Sequence, residues 1–230
     1  MTKGTPWKKI LVFMFPVFAG LLLQQLYNIV DTIIVGNFAG EAALASVGAC
    51  GVFTMAILAL ANGFSAGAGI LIAQLYGAGK ENELRRQAST SIVLMMGMGV
   101  VVTAVVFVIT PFVLGVIFYT PKSLIPDAVL YMRIYALGLI FQFGYNIVAA
   151  VLRGVGDSKA TLYFLLIACI VNVGLDILLV YNLRMGVMGA AIATDIAQAG
   201  SCIAGFIYMM KKYKVFRFGL KDWTFEMPLA

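Results

Sequence analysis

Gln24-Gln25-Leu26-Tyr27-Asn28-Ile29-Val30-Asp31-Thr32-Ile33-Ile34-Val35-Gly36 is the stretch whose reading decides the fold. It closes the first long apolar segment of the chain, with apolar residues on both sides of its carboxylate. An ionised acid at membrane depth is expensive, so Asp31 is a functional candidate by default. Gln24, Asn28 and Asp31 are spaced i, i+4, i+7, which places them on one helical face. A polar stripe on a membrane helix faces protein or a water-filled cavity rather than lipid. The plainer alternative is an acid near a helix end that reaches the headgroups. Thr32-Ile33-Ile34-Val35 speaks against it, because the apolar run continues past the acid.

Composition agrees with a membrane setting. The 230 residues are 62% hydrophobic and only 11% charged, against about 25% charged in soluble domains. The chain is predicted to be all-α and polytopic, with six transmembrane helices. The spans are expected at about 10–35, 44–76, 88–112, 128–152, 162–181 and 187–210, each long enough to cross a bilayer. Residues 211–230 are expected to form a basic cytoplasmic tail or inter-lobe linker. The second span exceeds one straight crossing, so it tilts or protrudes.

The net charge of +6 is no nucleic-acid signature, because the basic residues sit in short clusters between apolar runs. Cys50, Cys169 and Cys202 each lie inside an apolar segment and suggest neither a metal motif nor a disulfide framework. There is no histidine, so proton chemistry falls to carboxylates. Lys3, Lys8 and Lys9 before an apolar run look superficially like a signal peptide. The run is too long for one and has no small-residue cleavage site, so it reads as a retained helix.

The linkers set the topology. Gly77–Arg86, Arg153–Lys159 and the segment after residue 210, together with the N-terminal lysines, hold thirteen of the sixteen Lys and Arg residues. The opposite linkers hold Lys122 and Arg184, and Arg133 lies early in the fourth span. The positive-inside rule then predicts cytoplasmic termini, in keeping with an even number of spans. Ala59, Gly63 and Gly67, with Gly69 beside them, and the pairs Gly186/Ala190 and Gly189/Ala193 predict close helix contacts. Pro16 falls inside the first span and Pro111 near the end of the third; an internal proline removes a hydrogen bond and favours a kink. Trp7, Trp223 and tyrosines near span ends read as interfacial anchors. One echo runs through the chain: Gln24-x-x-Tyr27-Asn28-Ile29-Val30 recurs as Gln142-x-x-Tyr145-Asn146-Ile147-Val148. The copies lie in spans that run in opposite directions, which suits an inverted three-plus-three repeat.

Asn172 and Asp176 share one face of the fifth span, and Thr194, Asp195, Gln198 and Ser201 fall within two turns of the sixth. If spans one, five and six pack together, Asp31, Asn172, Asp176 and Thr194 converge. Two carboxylates with amide and hydroxyl oxygens make a hard-cation site. They equally make a proton site, since adjacent buried carboxyls share a proton readily. The competing structural explanation is polar glue between helices, worth about 0.6 kcal/mol per hydrogen bond. It covers Ser65, Gln198 and Ser201 well and the two acids poorly.

Several pieces together carry a resemblance. They are Pro16 followed by Gln24-x-Leu26-Tyr27-Asn28-x-x-Asp31, Gly36, Ala43-Leu44-Ala45 and Gly48, then Gly63 and Gly67 with Gln74-x-x-Gly77-Ala78-Gly79. Further along come Leu152-Arg153-Gly154-x-Gly156-Asp157, Asn172-x-x-x-Asp176 and Gly186-x-x-Gly189-Ala190-Ala191-x-Ala193-Thr194. In order, over essentially the whole chain, these resemble the multidrug and toxic compound extrusion (MATE) family. The resemblance implies one six-helix lobe of a transporter, and an antiport in which Na⁺ or H⁺ enters and small organic, mostly cationic compounds leave. It places the cation or proton site, with Na⁺ as one occupant, on Asp31, Asn172, Asp176 and Thr194. It also puts a bending proline at Pro16 and a cavity-lining position at Asn146; Gln24, Tyr27 and Asn28 are expected to join that lining.

No cofactor beyond the coupling ion is implied, and no enzymatic activity. The expected partners are the lipid bilayer, the exported compound and a second lobe; the expected place is a bacterial or archaeal plasma membrane. The family has twelve helices in two lobes and this chain has six, so it is either a fragment or one half of a dimer. A lipid-linked saccharide flippase of the same superfamily and a non-transporting scaffold are the rival functions. Gly154-Val155-Gly156-Asp157 also satisfies the GxGD motif of intramembrane aspartyl proteases. Arg153 and Lys159 place that motif in water, where Asp157 reads as an N-cap or turn residue.

Overall fold

The computed structural model describes residues 6–218. Residues 219–230, with Lys221 and Trp223 of the expected tail, and Lys3 lie outside the described residues. Six long helices account for most of the rest: α1 Pro6–Ile34, α2 Glu41–Gly77, α3 Glu81–Phe112, α4 Ile125–Gly154, α5 Ser158–Asp176 and α6 Gly186–Lys212. All six are long and apolar enough to cross a membrane, and no strand occurs among the described residues. The chain is a multi-pass, all-helical membrane protein. With 37 residues α2 is about 55 Å long, well beyond a hydrocarbon core of about 30 Å.

α4 is the axis of the bundle. Most of its apolar stretch is buried, with Met132, Leu139, Phe143, Ile147 and Leu152 fully enclosed. It packs against α2, α3 and α6, while α5 bridges α1 and α6. Small residues let these backbones approach: α6 turns Gly189, Ala190, Ala193, Ala197 and Gly205 inward. The expected small-residue stripe of α2 behaves differently. Ala59, Gly63 and Gly67 are exposed, and only Gly69 lies against a neighbour, Ala150 of α4. The reason is register. The buried face of α2 is Ser46, Cys50, Ile57, Ala61, Ser65 and Ile72, rotated away from that stripe.

α1, α3 and α5 each finish in a π-helical turn at one end of the bundle: Val35–Ala39, Val113–Ile117 and Ile177–Asn182. We call this the far end. Pro111 sits just ahead of the α3 turn, where its missing N–H and bulky ring loosen the i→i−4 ladder. After the first of these turns the chain reverses at Gly40, whose φ of 92° strains any residue with a Cβ. α1 itself stays helical through Pro16, which is buried.

The opposite, basic end holds the start of α1, the α2–α3 and α4–α5 connections and the end of α6. Asp157 is the N-cap of α5, accepting from the Ala160 N–H at 3.4 Å. Its other oxygen accepts from Lys212 Nζ at 2.7 Å and from the Tyr208 and Tyr213 hydroxyls at 3.0 Å each. One carboxylate thus ties the α4–α5 connection to the end of α6. Arg85 at the start of α3 donates to the Arg217 carbonyl at 2.6 Å.

Candidate functional site

α1 and α5 run in the same direction side by side, with Gly20 against Leu162 and Leu165. That register carries Asp31 close to Asp176 near the far end. Asp176 is fully buried, and Asn172, one turn back, nearly so. α6 closes the cluster from the other side. Thr194 Oγ1 lies 3.2 Å from the Tyr27 hydroxyl, and Asn172 Nδ2 donates to it at 3.4 Å. Asp31, Asn172, Asp176 and Thr194 are therefore brought together from three helices, with Tyr27 as a fifth member.

The chemistry of the cluster is one-sided. Asp31 Oδ1, both Asp176 oxygens and Asn172 Oδ1 are buried and meet no donor. Two carboxylates only accept, so the close approach of Asp31 and Asp176 is a hydrogen bond only when a proton sits between them. A buried acceptor left unsatisfied costs about 1–3 kcal/mol, and more when charged. Four such atoms side by side are suited to a hard cation or a proton, which is what oxygen-only surroundings hold. Interhelical glue would look different, with each acceptor facing a donor.

Two members of the surroundings were not singled out in the sequence. Tyr131 and Tyr135 of α4 are buried and stacked, centroids 6.1 Å apart. Tyr131 lies within electrostatic reach of Asp31 and Tyr27, and Tyr135 of Asp195. Tyr131 is thus no interfacial anchor, although it begins a span. Its i, i+4 partnership with Tyr135 on the buried face of α4 was the available signal. Asp195 stands apart from the cluster, packed on Gly138 so closely that a Cβ there would collide with its carboxylate.

Towards the basic end, a cavity of about 330 Å³ opens between α1, α2, α4, α5 and α6. Gln24 and Pro16 line it from α1, and Gln142, Tyr145 and Asn146 from α4. Gln24 of the first copy of the sequence echo thus faces the same space as Gln142, Tyr145 and Asn146 of the second, while their helices barely touch directly. Tyr27 and Asn28 do not line this cavity. Tyr27 turns to Thr194, and Asn28 is exposed and donates to Gln25 Oε1 at 3.4 Å. Position 28 lies about 40° further round the helix than position 24, which carries it onto the uncovered side of α1.

The MatE family model matches residues 16–178. The chain belongs to the MatE family. A probable multidrug resistance protein, YpnP of Bacillus subtilis (strain 168), is 30% identical over 91% of this chain and 47% of its own length. The multidrug export protein MepA of Staphylococcus aureus (strain NCTC 8325 / PS 47) is 23% identical over 95% of this chain and 48% of its own. Among solved structures, MATE in the bent conformation superposes with a TM-score of 0.88 at 27% identity, covering 96% of this chain and 49% of that one. MATE in the straight conformation gives 0.87. The chain spans about half the length of the curated relatives it matches. The MatE match runs from Pro16 within α1 to just past the end of α5, including Asp31, Asn172 and Asp176; Thr194 lies beyond it.

Proposed function

We propose that this MatE chain is one lobe of a cation-coupled antiporter that exports small amphipathic organic cations, with Asp31 and Asp176 as the coupling acids. The observation that carries the reading is the buried cluster of acceptors without donors at Asp31, Asp176 and Asn172. A coupling site has to exchange an ion as the lobe changes arrangement, and it shifts an equilibrium only by its difference in affinity between the two. Na⁺ or H⁺ entering the cluster neutralises one acid and relieves the rest. Asn172 and Thr194 supply neutral oxygens, and Pro16 supplies a point of bending in α1. The termini are cytoplasmic and the membrane is the plasma membrane, in keeping with the basic end. The second lobe lies outside this sequence or comes from a second copy. The names of YpnP and MepA support the choice of drugs as cargo, and the match to about half of their length supports a second lobe.

The test is ²²Na⁺ binding and pH-jump proton release by the purified chain, paired with efflux of a fluorescent cation from vesicles holding a two-lobed version. Asp31→Asn and Asp176→Asn should each insert normally, lose ion binding and abolish gradient-driven export. Asn172→Leu and Thr194→Val should weaken both less. Parental export by both acid variants under the same gradient would sink the assignment.

A further inference from the structure

The cavity at the basic end has the opposite chemistry from the acid cluster one turn away. Its lining contains Arg153 and a belt of amides, Gln24, Asn62, Gln142, Asn146 and Gln198, and no acidic residue. Arg153 ends α4 and is partly buried, yet meets no carboxylate among the described residues. Asp157, the acid nearest to it in sequence, is held by Lys212, Tyr208 and Tyr213. Gln198 Oε1 is buried at the cavity wall without a donor. Leu58, Leu162 and Leu165 provide an apolar side. A guanidinium with no counter-ion, set among neutral hydrogen-bonding groups, rejects a second cation and receives an anion through paired N–H donors.

We propose that this cavity binds the anionic group, a phosphate or carboxylate, of an amphipathic molecule. Arg153 takes the charge, Asn146 and Gln142 fix its orientation, and the leucines take the adjoining hydrocarbon. At about 330 Å³ the space suits a headgroup and the first part of a tail rather than a whole lipid. None of Asp31, Asn172, Asp176 or Thr194 lines it, so the inference is independent of the coupling assignment; Pro16, Gln24 and Asn146 do line it, so it rests on the exporter reading for the cavity they share.

The experiment uses the purified chain in a neutral detergent, with dodecyl phosphate and dodecyltrimethylammonium as probes of matched tail and opposite charge. Dodecyl phosphate should bind the parent at least about tenfold more tightly than it binds Arg153→Gln, the scale of a charged hydrogen bond. Arg153→Lys should fall between, and dodecyltrimethylammonium should show no dependence on position 153. Asn146→Asp, which adds a carboxylate to the lining that position 146 shares with Arg153, should also lose dodecyl phosphate binding and guards against a misfolded Arg153→Gln. Asp31→Asn should retain it, so a failure of the coupling assignment leaves this result intact. Native mass spectrometry separates the sources. Phosphatidylglycerol retained over phosphatidylcholine by the parent, and lost in Arg153→Gln, identifies a bilayer lipid; dodecyl phosphate binding without retained lipid identifies a free amphipath. Equal dodecyl phosphate binding by the parent, Arg153→Gln and Asn146→Asp overturns the proposal.

Discussion

Removing one carboxylate at the basic end should loosen the whole lobe. Asp157 caps α5 and accepts from Lys212, Tyr208 and Tyr213 across the α4–α5 connection. Losing an N-cap costs about 1 kcal/mol. The Lys212 pair is short, but the lysine is 46% exposed, so solvent screening holds its share to about 0.5–1 kcal/mol. The two tyrosine hydroxyls add about 0.5–1 kcal/mol each, below the range of about 1.5–3 kcal/mol for a bond to a charged group because they share one carboxylate oxygen with Lys212. Asp157→Ala should therefore lose about 3 kcal/mol, or a fall of about 6–12 °C in thermal midpoint for a domain of this size. Asp157→Asn keeps a good cap and should fall by about half as much. Acidity has a definite sign. Burial pushes the Asp157 carboxyl up, but the bonds from Lys212, Tyr208 and Tyr213 outweigh it and hold it below the ordinary carboxylate range. A depressed acid stabilises fully above its unfolded value, about 3.9, and loses that contribution as pH falls through its folded value. Tyr213 is pushed up to about 12 by burial and by Asp157, so it remains a donor throughout. The difference in midpoint between parent and Asp157→Ala, measured by scanning fluorimetry in detergent, should stay constant from about pH 7 to 5 and close below about pH 4. A parent and variant within about 2 °C at pH 7, less than 1 kcal/mol on the same scale, would refute the reasoning.

The other tests are more local. Gly138→Ala should destabilise the lobe by displacing Asp195, and adding Asp195→Ala should recover most of the loss in thermal midpoint; additive losses would exclude the clash. Gly40→Ala should lower the midpoint because of its positive φ, by about 1 kcal/mol or more. In a background with Cys50, Cys169 and Cys202 replaced, a cysteine at Glu81 should label only from the cytoplasm and one at Ser123 only from outside; labelling of both from one side would overturn the assigned orientation. Reconstituted as a demonstrated monomer, the chain should not export a fluorescent cation, because alternating access needs a second bundle to move against.

The helices were legible because bilayer crossing imposes length and apolarity on each in turn, and Asp31 and Asp176 stood out because acids are costly there. Their convergence was only conditional in the sequence, since i, i+4 spacing fixes a face but not the neighbour it meets. The meeting depends on α1 and α5 lying parallel with Gly20 against Leu162 and Leu165. Lateral rotation misled in two places. Ala59, Gly63 and Gly67 form a tidy small-residue stripe, yet the buried face of α2 runs through Ser46, Cys50 and Ala61. Asn28 shares an arc with Gln24 but falls on the uncovered flank. Composition cannot reveal such rotations, because in lipid an exposed apolar face and a buried one look alike. Tyr131 was obscured for the same reason: a tyrosine at the start of a span fits an interface as well as a core.

The placement of charge along the lobe is what leaves the acid pair chemically available. Asp31 and Asp176 lie towards the far end, Arg153 ends α4 at the basic end, and between them the cavity wall is built from Gln24, Gln142, Asn146 and Gln198. These amides hydrogen-bond but carry no charge. A guanidinium within a few ångströms of the two acids would satisfy their oxygens and hold both ionised, because a nearby opposite charge favours the charged form. The cluster would then be a closed salt bridge with no need of an ion. Breaking it on each cycle would cost the desolvation of a buried, unpaired charge. The neutral amides of the cavity wall put no such charge beside the acids. A basic residue introduced at Gln198, one turn from Thr194, should for this reason abolish ion binding at Asp31 and Asp176 as surely as removing an acid, whereas Gln198→Leu should leave it measurable. Undiminished ²²Na⁺ binding or proton release in Gln198→Lys would show that the acids do not depend on the absence of a neighbouring cation.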